Sequence, residues 1–400
     1  MKAKRLYRAV CVCAVAAFSA AASYAEGLPT PAQTAKKIAE QFLSADPADY
    51  HPRGYKGGKA YGGKWQIHYA TVSLWVNALE CARLSQDSEL EERLVKAFEP
   101  FLAERAKVLD IERHVDFSIV GAIPLEIACN AKDGKLRAAM LELGLKYADR
   151  QWEEPKEGCK WGDKWYDPIP LDERLDWWEQ GYSPETRLWI DDMYMITVLQ
   201  SLAYRATGDY KYIERAGREM CLYLDRLQRE DGLFNHAPGA PFAWGRGNGW
   251  MAAGMALNLK YLKKDDPSRA KILAGYNKMM ATLLLTQRAS GLWGQIVDDA
   301  ESWDETSCSA MFAYALQEGL NQGLLKQFSI DIPNKIRAAY SALVAKMDEY
   351  GNIADVCAGT GWRNDRNHYM KRPRVNGDPH GQAPMLWLCG AMMEGETGKK

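Results

Sequence analysis

The 400-residue sequence lacks several features that would assign a protein to a class directly. Its nine cysteines are dispersed without a Cys-x-x-Cys pair, and no His-x-x-x-His pair occurs, so we expect neither a disulfide framework nor a metal site. The formal net charge is −1 and no basic block is present, which argues against a nucleic-acid partner. After residue 25, no apolar run reaches the roughly 18 residues of a membrane-spanning helix.

Repeats and linkers are also missing. No Pro-rich or low-complexity segment divides the chain, so we expect one domain over residues 26–400. Hydrophobic residues make up 47% and charged residues 26%, which allows a buried core and excludes bulk disorder. Phenylalanine is scarce, with 9 residues against 14 Trp and 20 Tyr. Aromatic rings with a polar edge suit sugar-stacking surfaces as well as cores.

Residues 1–25 have the pattern of a secretory signal peptide. A basic segment at 2–8 is followed by an apolar segment at 10–22, and Ser23-Tyr24-Ala25 places small side chains where a signal peptidase cleaves. We therefore expect cleavage before Glu26 and export of the protein, most simply to a bacterial periplasm. An uncleaved anchor is the alternative.

The rest of the chain shows helical periodicity almost throughout. We predict helices near 30–45, 66–85, 88–108, 117–131, 134–150, 188–207, 209–229, 247–263, 265–287, 306–321, 330–348 and 382–394. Twelve helices joined by alternating short and long connections suit an (α/α)6 barrel, an all-α fold of six helical hairpins. The long connections, at 151–187, 231–246, 288–305 and 349–381, would then gather at one rim. A helical solenoid is the rival, but no fixed-period repeat occurs.

Two long connections carry unusual residues. The connection 151–187 is rich in tryptophan, and Trp189 follows it. Its indoles could line a sugar-binding cleft, but burial statistics favour a small separate core for most of them. Next come Asp191 and Asp192, at the start of a predicted helix. Consecutive helical residues point about 100° apart, so one acid could face a cavity while the other caps the helix.

The segment Trp244–Trp250 (W-G-R-G-N-G-W) follows the second of these connections. Its three alternating glycines would let the backbone approach a ligand, and the planar fork of Arg246 suits a carboxylate. No strand precedes the glycines and no Lys-Ser/Thr follows them, so a phosphate loop is disfavoured. The alternatives are a tight turn for the glycines and a buried ion pair for Arg246.

Together these segments resemble glycoside hydrolase family 105 and the related family 88, the unsaturated rhamnogalacturonyl and glucuronyl hydrolases. The resemblance is nearer to family 105 and covers about residues 65–390. It rests on W-I-D-D-M-Y-M at 189–195 and W-G-R-G-N-G-W at 244–250, with further matches, in the family's order, at 114–116, 291–295, 305–312 and 376–381.

This resemblance implies an (α/α)6 barrel, no cofactor, and oligosaccharide substrates that end in a 4,5-unsaturated uronic acid. The enzymes of these families protonate the enol ether at C4 and add water at C5. The family's catalytic acid matches Asp191, and a second acid that positions water or the uronate matches Asp116. Predicted substrate-binding residues are Arg246, Trp244, Trp250, His236, Asn248, His380 and Trp189. Alternatively, Asp116 could cap a helix. His236 and His380 could each be a buried polar group with satisfied hydrogen bonds.

The chain departs from the family pattern at two places, both of which concern substrate preference. An aromatic-His segment usually lies about eleven residues before the catalytic acid, where this chain has Gln180. The connection 151–187 is also richer in tryptophan than the family pattern. No motif selects the sugar on the other side of the scissile bond or an oligomeric state.

Two other functions stay open at this point. An inverting glycosidase acting on saturated sugars could use Asp116 and Asp191 as base and acid, which requires about 6.5–9.5 Å between the carboxyl groups. A non-catalytic periplasmic sugar-binding protein would need only the aromatic residues.

Overall fold

The computed structural model describes residues 27–46, 50, 67–162 and 169–397. Helices dominate these ranges. In chain order the helices are α1 (Pro31–Leu43), α2 (Tyr69–Leu84), α3 (Ser88–Phe98), α4 (Val115–Ser118), α5 (Ala122–Asn130), α6 (Gly134–Arg150), α7 (Leu171–Glu179), α8 (Asp192–Thr207), α9 (Lys211–Leu227), α10 (Gly245–Tyr261), α11 (Pro267–Thr286), α12 (Thr306–Asn321), α13 (Ile332–Ala345), α14 (Arg366–Met370) and α15 (Pro379–Thr397). Short 3-10 helices cover Glu99–Leu102, Ala106–Leu109 and Ile119–Gly121.

Two small antiparallel ribbons lie in the long connections. One pairs β1 (Trp293–Gly294) with β2 (Asp304–Glu305), and the other pairs β3 (Val356–Cys357) with β4 (Arg374–Val375). In the first, Trp293 lies opposite Glu305, and in the second, Val356 lies opposite Val375. The first ribbon holds part of a long connection close to the start of α12, and the second holds another close to the start of α15.

Six helices form a closed inner ring. Helix α2 packs on α5, α5 on α8, α8 on α10, α10 on α12, α12 on α15, and α15 on α2. Outside the ring, α1, α3, α6, α9, α11 and α13 each pack on an adjoining inner helix. The fold is therefore the expected (α/α)6 barrel. Because the ring closes, the solenoid alternative is wrong.

Burial patterns explain which helices lie inside. In α10, every residue from Gly245 to Ala256 is buried, so this helix has no solvent-facing side over most of its length. In α9, the buried residues recur on one face, from Tyr212 and Ile213 to Leu224 and Leu227. A helix that is buried all round belongs to the interior, whereas one with an apolar stripe covers it.

All six inner helices run in the same direction, because an outer helix that runs the opposite way separates each from the next. Their starts meet at one end of the barrel, together with the long connections. We call this end the N-terminal rim and define it by the residues at the starts of the inner helices: His68, Asp116, Asp191, Trp244, Glu305 and His380. The aligned helix dipoles make this end favourable for an anion.

The opposite end of the barrel is filled by charged side chains. Arg205 Nη1 lies 2.8 Å from Glu126 Oε2, and Lys260 Nζ lies 2.7 Å from Glu394 Oε2 and 3.3 Å from Glu318 Oε1. These residues border a cavity of about 40 Å³, room for little more than a few water molecules. At this end the interior of the barrel therefore has little space for a sugar chain.

Several predicted boundaries are wrong for identifiable reasons. The helix predicted at 88–108 ends at Phe98, because Pro100 cannot continue it and the chain tightens into a 3-10 turn. The helix predicted at 117–131 is broken by the 3-10 turn Ile119–Gly121. The connection predicted at 151–187 contains helix α7, which was not predicted because the segment is so rich in tryptophan.

The signal peptide predicted at 1–25 lies outside the described residues. Across the part of the chain that the structure describes, no helix combines the length and the apolarity needed to cross a bilayer.

Candidate active site

Asp191 lies at the N-terminal rim, where it precedes the first turn of α8. Its side chain makes no capping hydrogen bond, so helix capping does not account for it. The residue is 8% exposed, and its Oδ2 lies 3.3 Å from Nε2 of the fully buried His236. Neither atom has a hydrogen-bond partner in the described part of the chain. A buried carboxylate oxygen and an imidazole nitrogen thus face each other at a longer distance than a well-formed hydrogen bond.

Asp192, the neighbouring acid, has a different environment. It is fully buried, and its carboxylate accepts hydrogen bonds from the Arg187 Nε at 2.8 Å and the Tyr223 hydroxyl at 2.6 Å. Burial raises the pKa of Asp192, and Arg187 opposes that rise. The two acids therefore have different environments, and Asp192 binds an arginine instead of capping the helix.

Asp116 lies in α4 and contacts the same arginine as Asp192. Its Oδ1 lies 3.1 Å from Nη2 of Arg187, which also forms an ion pair with Asp192. Burial raises the pKa of Asp116 to about 6, although the positive charge of Arg187 acts in the opposite direction. The negative charges of Asp192 and Asp191 add to the rise in this pKa. His114 caps α4 by accepting the Asp116 N–H at 3.1 Å, so the capping role considered for Asp116 belongs to His114.

Arg187 is the residue that the sequence analysis missed here. Its side chain is 6% exposed, bridges two aspartates and reaches the His114 Nε2 at 2.9 Å. Leu188, which follows it, has a φ of 56°, a left-handed conformation that is uncommon for a residue other than glycine. An arginine two residues before W-x-D-D was the only signal in the sequence, because its partner at 116 is distant along the chain.

Arg246 is fully buried in the first turn of α10. Its Nη1 donates to the Cys357 carbonyl at 2.5 Å and its Nη2 to the Ala358 carbonyl at 3.0 Å, while its Nε has no partner in the described residues. The guanidinium carbon lies 4.8 Å from the Trp244 ring centroid. The two terminal nitrogens of Arg246 thus hold the connection before α14. Of the guanidinium group predicted to bind a carboxylate, only Nε has no partner in the described residues.

Trp244 links Arg246 to the acid. Its ring centroid lies 4.6 Å from that of His236, and its indole nitrogen has no partner in the described residues. Asp191, His236, Trp244 and Arg246 therefore form one continuous cluster at the N-terminal rim. The structure brings the predicted acid and the predicted anion-binding arginine to the same end of the barrel.

Asn248 and Trp250 lie deeper in α10. Asn248 accepts the Phe234 N–H at 2.8 Å and donates to the carbonyls of Phe234 and Trp244 at 3.0 and 3.1 Å. Its observed role is to hold the turn that carries His236. Trp250 is buried against Tyr194 and Trp387 at ring distances of 5.2 and 5.4 Å. Contact of either residue with substrate stays a prediction.

The motif at 305–308 also has a structural role. The fully buried Glu305 carboxylate accepts the N–H groups of Ser307 at 3.1 Å and Cys308 at 2.6 Å, and so caps α12. It also accepts the Cys357 N–H at 2.9 Å. The Cys357 carbonyl accepts a hydrogen bond from Arg246. By binding the N–H of the same residue, Glu305 fixes the segment that holds the arginine.

His380 belongs to a second hydrogen-bonded group at the rim. Its Nδ1 lies 2.7 Å from Asp378 Oδ1, and its Nε2 lies 2.7 Å from the Tyr69 hydroxyl. Burial lowers the pKa of His380, with Arg246 acting in the same direction. An Nδ1–H that donates to Asp378 leaves Nε2 to accept the Tyr69 proton. Tyr69 was not among the predicted site residues, and its position at the start of α2 was the available signal.

Trp189 is half-buried beside these groups. Its ring lies 6.1 Å from that of His236 and 6.5 Å from that of Trp362, both in edge contact, and Arg187 lies over it at 4.8 Å. Partly exposed indoles next to a buried acid are suited to contact a sugar ring.

The tryptophans of 151–187 pack mainly on their own loop and its neighbours. The Trp178 indole donates to the Trp152 carbonyl at 3.1 Å, and the Trp152 indole donates to the Gly181 carbonyl at 3.1 Å. Arg174 stacks on Trp161 at 3.6 Å. These contacts favour the interpretation as a small separate core, while Trp165 lies outside the described residues. Gln180 is exposed and donates to its own helix, which gives it no part in the cluster.

Among the described residues, no group of three or more His, Cys, Asp or Glu side chains is arranged to hold a metal ion. The arrangement at the rim can instead transfer a proton through Asp191, hold an anion near the helix starts and Arg246, and contact a sugar through Trp189.

Known proteins match parts of this chain. The unsaturated rhamnogalacturonyl hydrolase of Bacillus subtilis (strain 168) is 32% identical over 151 residues, which cover 37% of this chain and 41% of that protein. The unsaturated 3S-rhamnoglycuronyl hydrolase of Alteromonas sp. (strain LOR) is 27% identical over 178 residues, 41% of this chain and 42% of that protein. The match thus spans about two fifths of the length of these two relatives.

Solved structures share the fold over most of the chain. A structure from Salmonella enterica described as a possible member of family 105 superposes with a TM-score of 0.71 at 16% identity, covering 93% of this chain and 96% of that one. The unsaturated glucuronyl hydrolase of Bacillus sp. GL1 superposes with a TM-score of 0.61 at 20% identity, covering 89% and 94%. The family model described as Glycosyl Hydrolase Family 88 matches residues 48–394. The chain therefore belongs to glycosyl hydrolase family 88, which confirms the resemblance seen in its motifs.

Proposed function

We propose that this enzyme removes the terminal 4,5-unsaturated uronic acid from oligosaccharides that polysaccharide lyases produce. The observation that carries the proposal is the buried Oδ2 of Asp191, which has no hydrogen-bond partner in the described residues and lies 3.3 Å from His236 at the N-terminal rim. A buried polar atom without a partner calls for a functional reason. The names of the relatives in Bacillus subtilis and Alteromonas support a substrate of this class.

Asp191 serves in turn as acid and as base in this proposal. In its acid form it transfers a proton to C4, the electron pair of the C4–C5 double bond forms the new C–H bond, and C5 becomes an oxocarbenium centre. Water then bonds to C5 while the Asp191 carboxylate takes one of its protons. The product is a hemiketal. It opens by breaking the C5–O5 bond, O5 takes a proton, and the hemiacetal left at C1 releases the other sugar.

Asp116 positions the reacting groups in this proposal. Arg187 contacts both of its carboxylate oxygens, Oδ1 from Nη2 at 3.1 Å and Oδ2 from Nη1 at 3.5 Å, and so fixes the direction of the side chain. In this proposal the more weakly held Oδ2 orients water or a hydroxyl of the uronate. An acid held by arginine is a poor candidate for the free general base of an inverting glycosidase, so the structure favours hydration over that alternative.

The uronate carboxylate binds near the starts of the inner helices. The dipoles of the inner helices and the guanidinium of Arg246 place positive charge at this end of the barrel. The Nε–H of Arg246 has no partner in the described residues, and it lies on the edge of the guanidinium that can meet a carboxylate side-on. Selectivity for an anionic sugar follows from this charge.

We also propose export of the protein through a signal peptide at residues 1–25. Amino-terminal sequencing of protein recovered from the periplasm of a bacterial host should begin at Glu26. A chain that keeps residues 1–25 and stays with the membrane fraction would contradict it.

A panel of matched disaccharides tests the activity. Each unsaturated disaccharide, made by a lyase, is paired with its saturated counterpart, and the reaction is followed by ultraviolet absorbance and by release of reducing sugar. We expect loss of the absorbance of the conjugated uronate with the unsaturated member alone. Cleavage of only the saturated members would identify an ordinary glycosidase. Binding without turnover of any member would identify a sugar-binding protein.

A further inference from the structure

Tyr369 contacts the imidazole that faces the acid. It lies in α14, is fully buried, and its hydroxyl lies 2.9 Å from Nδ1 of His236. The same hydroxyl oxygen accepts the backbone N–H of Arg363 at 3.1 Å. In the described residues the phenolic proton has one acceptor, the Nδ1 of His236.

This hydrogen bond determines the tautomer of the histidine. An imidazole nitrogen that accepts a proton from tyrosine carries none itself, so in the neutral ring the proton lies on the other nitrogen. The protonated Nε2 of His236 then lies 3.3 Å from the Oδ2 of Asp191, within reach of a hydrogen bond after a small reorientation. The opposite tautomer would place a lone pair against the carboxylate and leave the phenolic proton without an acceptor.

We propose that Tyr369 is a positioning residue that keeps the proton of His236 on Nε2, the nitrogen 3.3 Å from Asp191. The inference rests on the proposed function, because it assigns a use to the negative charge that forms when Asp191 gives up its proton. A donor already next to Oδ2 stabilises that charge in the transition state and leaves Oδ1 to deliver the proton. The 3.3 Å contact shortens into a hydrogen bond as the charge develops.

The surroundings of Tyr369 hold it rigidly enough for this role. Its carbonyl accepts from the Gln295 side chain at 3.2 Å, and the next carbonyl, of Met370, accepts from the Trp303 indole at 3.3 Å. Its ring packs against Phe242 with centroids 5.3 Å apart. Burial raises the pKa of Tyr369 to about 12, so the hydroxyl keeps its proton at neutral pH.

The tautomer is tested directly by nuclear magnetic resonance on protein labelled with ¹⁵N-histidine. The sequence has six histidines, and the signal of His236 is assigned as the one lost in His236→Gln. We expect a neutral ring protonated at Nε2 in the wild type, and a mixture of tautomers in Tyr369→Phe. A wild-type ring protonated at Nδ1, or a tautomer unchanged in Tyr369→Phe, would overturn the proposal. This measurement needs no substrate, so its outcome is independent of the proposed activity.

Steady-state kinetics then test the consequence. In Tyr369→Phe we expect kcat to fall about ten- to hundredfold with KM nearly unchanged, because the lost donor acts on the transition state. The matched control is Tyr276→Phe, which removes an equally buried hydroxyl that donates to the Ala315 carbonyl at 2.6 Å, away from the rim. Equal losses of kcat in both variants would reduce Tyr369 to a structural role. If the wild type turns over no unsaturated substrate, the proposed function fails while the tautomer can still be as stated.

Discussion

At the scale of single residues, the site depends on buried charges whose partners are far away in the sequence. Asp191 could be recognised from its motif because the motif is local. Arg187 and Tyr369 could not, since Arg187 contacts Asp116 71 residues away and Tyr369 contacts His236 133 residues away. Local patterns identify the reacting acid, whereas the groups that orient it depend on the closure of the ring.

Arg187→Met should destabilise the protein strongly. The substitution leaves Asp116 and Asp192 buried without their common cation, and breaking a buried ion pair costs about 3–5 kcal/mol. Urea unfolding measures the difference. The control is Arg366→Met, which removes a more exposed pair with Asp299 and should destabilise the protein far less. Equal losses in the two variants would show that the buried cluster has no special importance.

Glu219 should make stability depend on pH. It is fully buried, accepts the Ser183 N–H at 3.0 Å, and burial raises its pKa to about 7 from the ordinary 4.5. The pKa of Glu219 is higher in the folded state than in the unfolded state. Protonation of Glu219 therefore makes its full contribution to the free energy of unfolding below about pH 4.5, and this contribution is lost as the pH rises to about 7.

Glu219→Gln keeps the shape of the protonated acid and removes its titration. Relative to the wild type, the variant should therefore gain up to about 3 kcal/mol between pH 4.5 and pH 7. Thermal unfolding at several pH values measures this. The exposed Glu92→Gln should show no such gain, and a constant difference between Glu219→Gln and the wild type would contradict the account.

At the scale of elements, the sequence predicted most of the long helices because their apolar residues recur at helical spacing. It failed where one residue ends a helix, as at Pro100, and where a helix is rich in tryptophan, as in α7. The glycines of α10 were also interpreted wrongly. A Cβ on Gly247 would lie 2.7 Å from the Ile190 side chain, and one on Gly249 would lie 2.3 Å from the Met311 sulfur. These glycines admit neighbouring helices and connections, not a ligand.

Gly247→Ala should consequently disturb both stability and activity. The added methyl group collides with Ile190, which precedes Asp191, and overpacking of this kind costs about 1–3 kcal/mol. Thermal unfolding and kcat measure the two effects. Gly134→Ala, in the first turn of α6 with no atom within 4 Å of the new Cβ, should be neutral or slightly stabilising. A Gly247→Ala variant with unchanged stability and rate would show that α10 has room at this position.

At the scale of the whole molecule, the two ends of the barrel differ in charge. The starts of six parallel helices lie at the rim, and the ion pairs of Arg205 and Lys260 fill the other end. The (α/α)6 architecture was predictable from helix count and loop lengths. The distribution of charge between its ends follows from the common direction of the inner helices, which no single motif contains.

This distribution predicts selectivity for the anionic sugar. Reducing the uronate carboxyl to an alcohol should lower kcat/KM about ten- to hundredfold, the value of a hydrogen bond to a charged group. Steady-state assays on the unsaturated disaccharide and its carboxyl-reduced form measure the ratio. Equal kcat/KM values for the two substrates would contradict the proposed recognition of the uronate carboxylate.

The most direct measurement is the turnover of an unsaturated disaccharide by Asp191→Asn, with binding followed in parallel by calorimetry. An asparagine keeps the size of the side chain but can neither give the proton to C4 nor take one from water. We predict that kcat falls about 10²–10⁴-fold while the dissociation constant changes little. A variant that still removes the ultraviolet absorbance at the wild-type rate would contradict the assignment of Asp191 as the reacting acid.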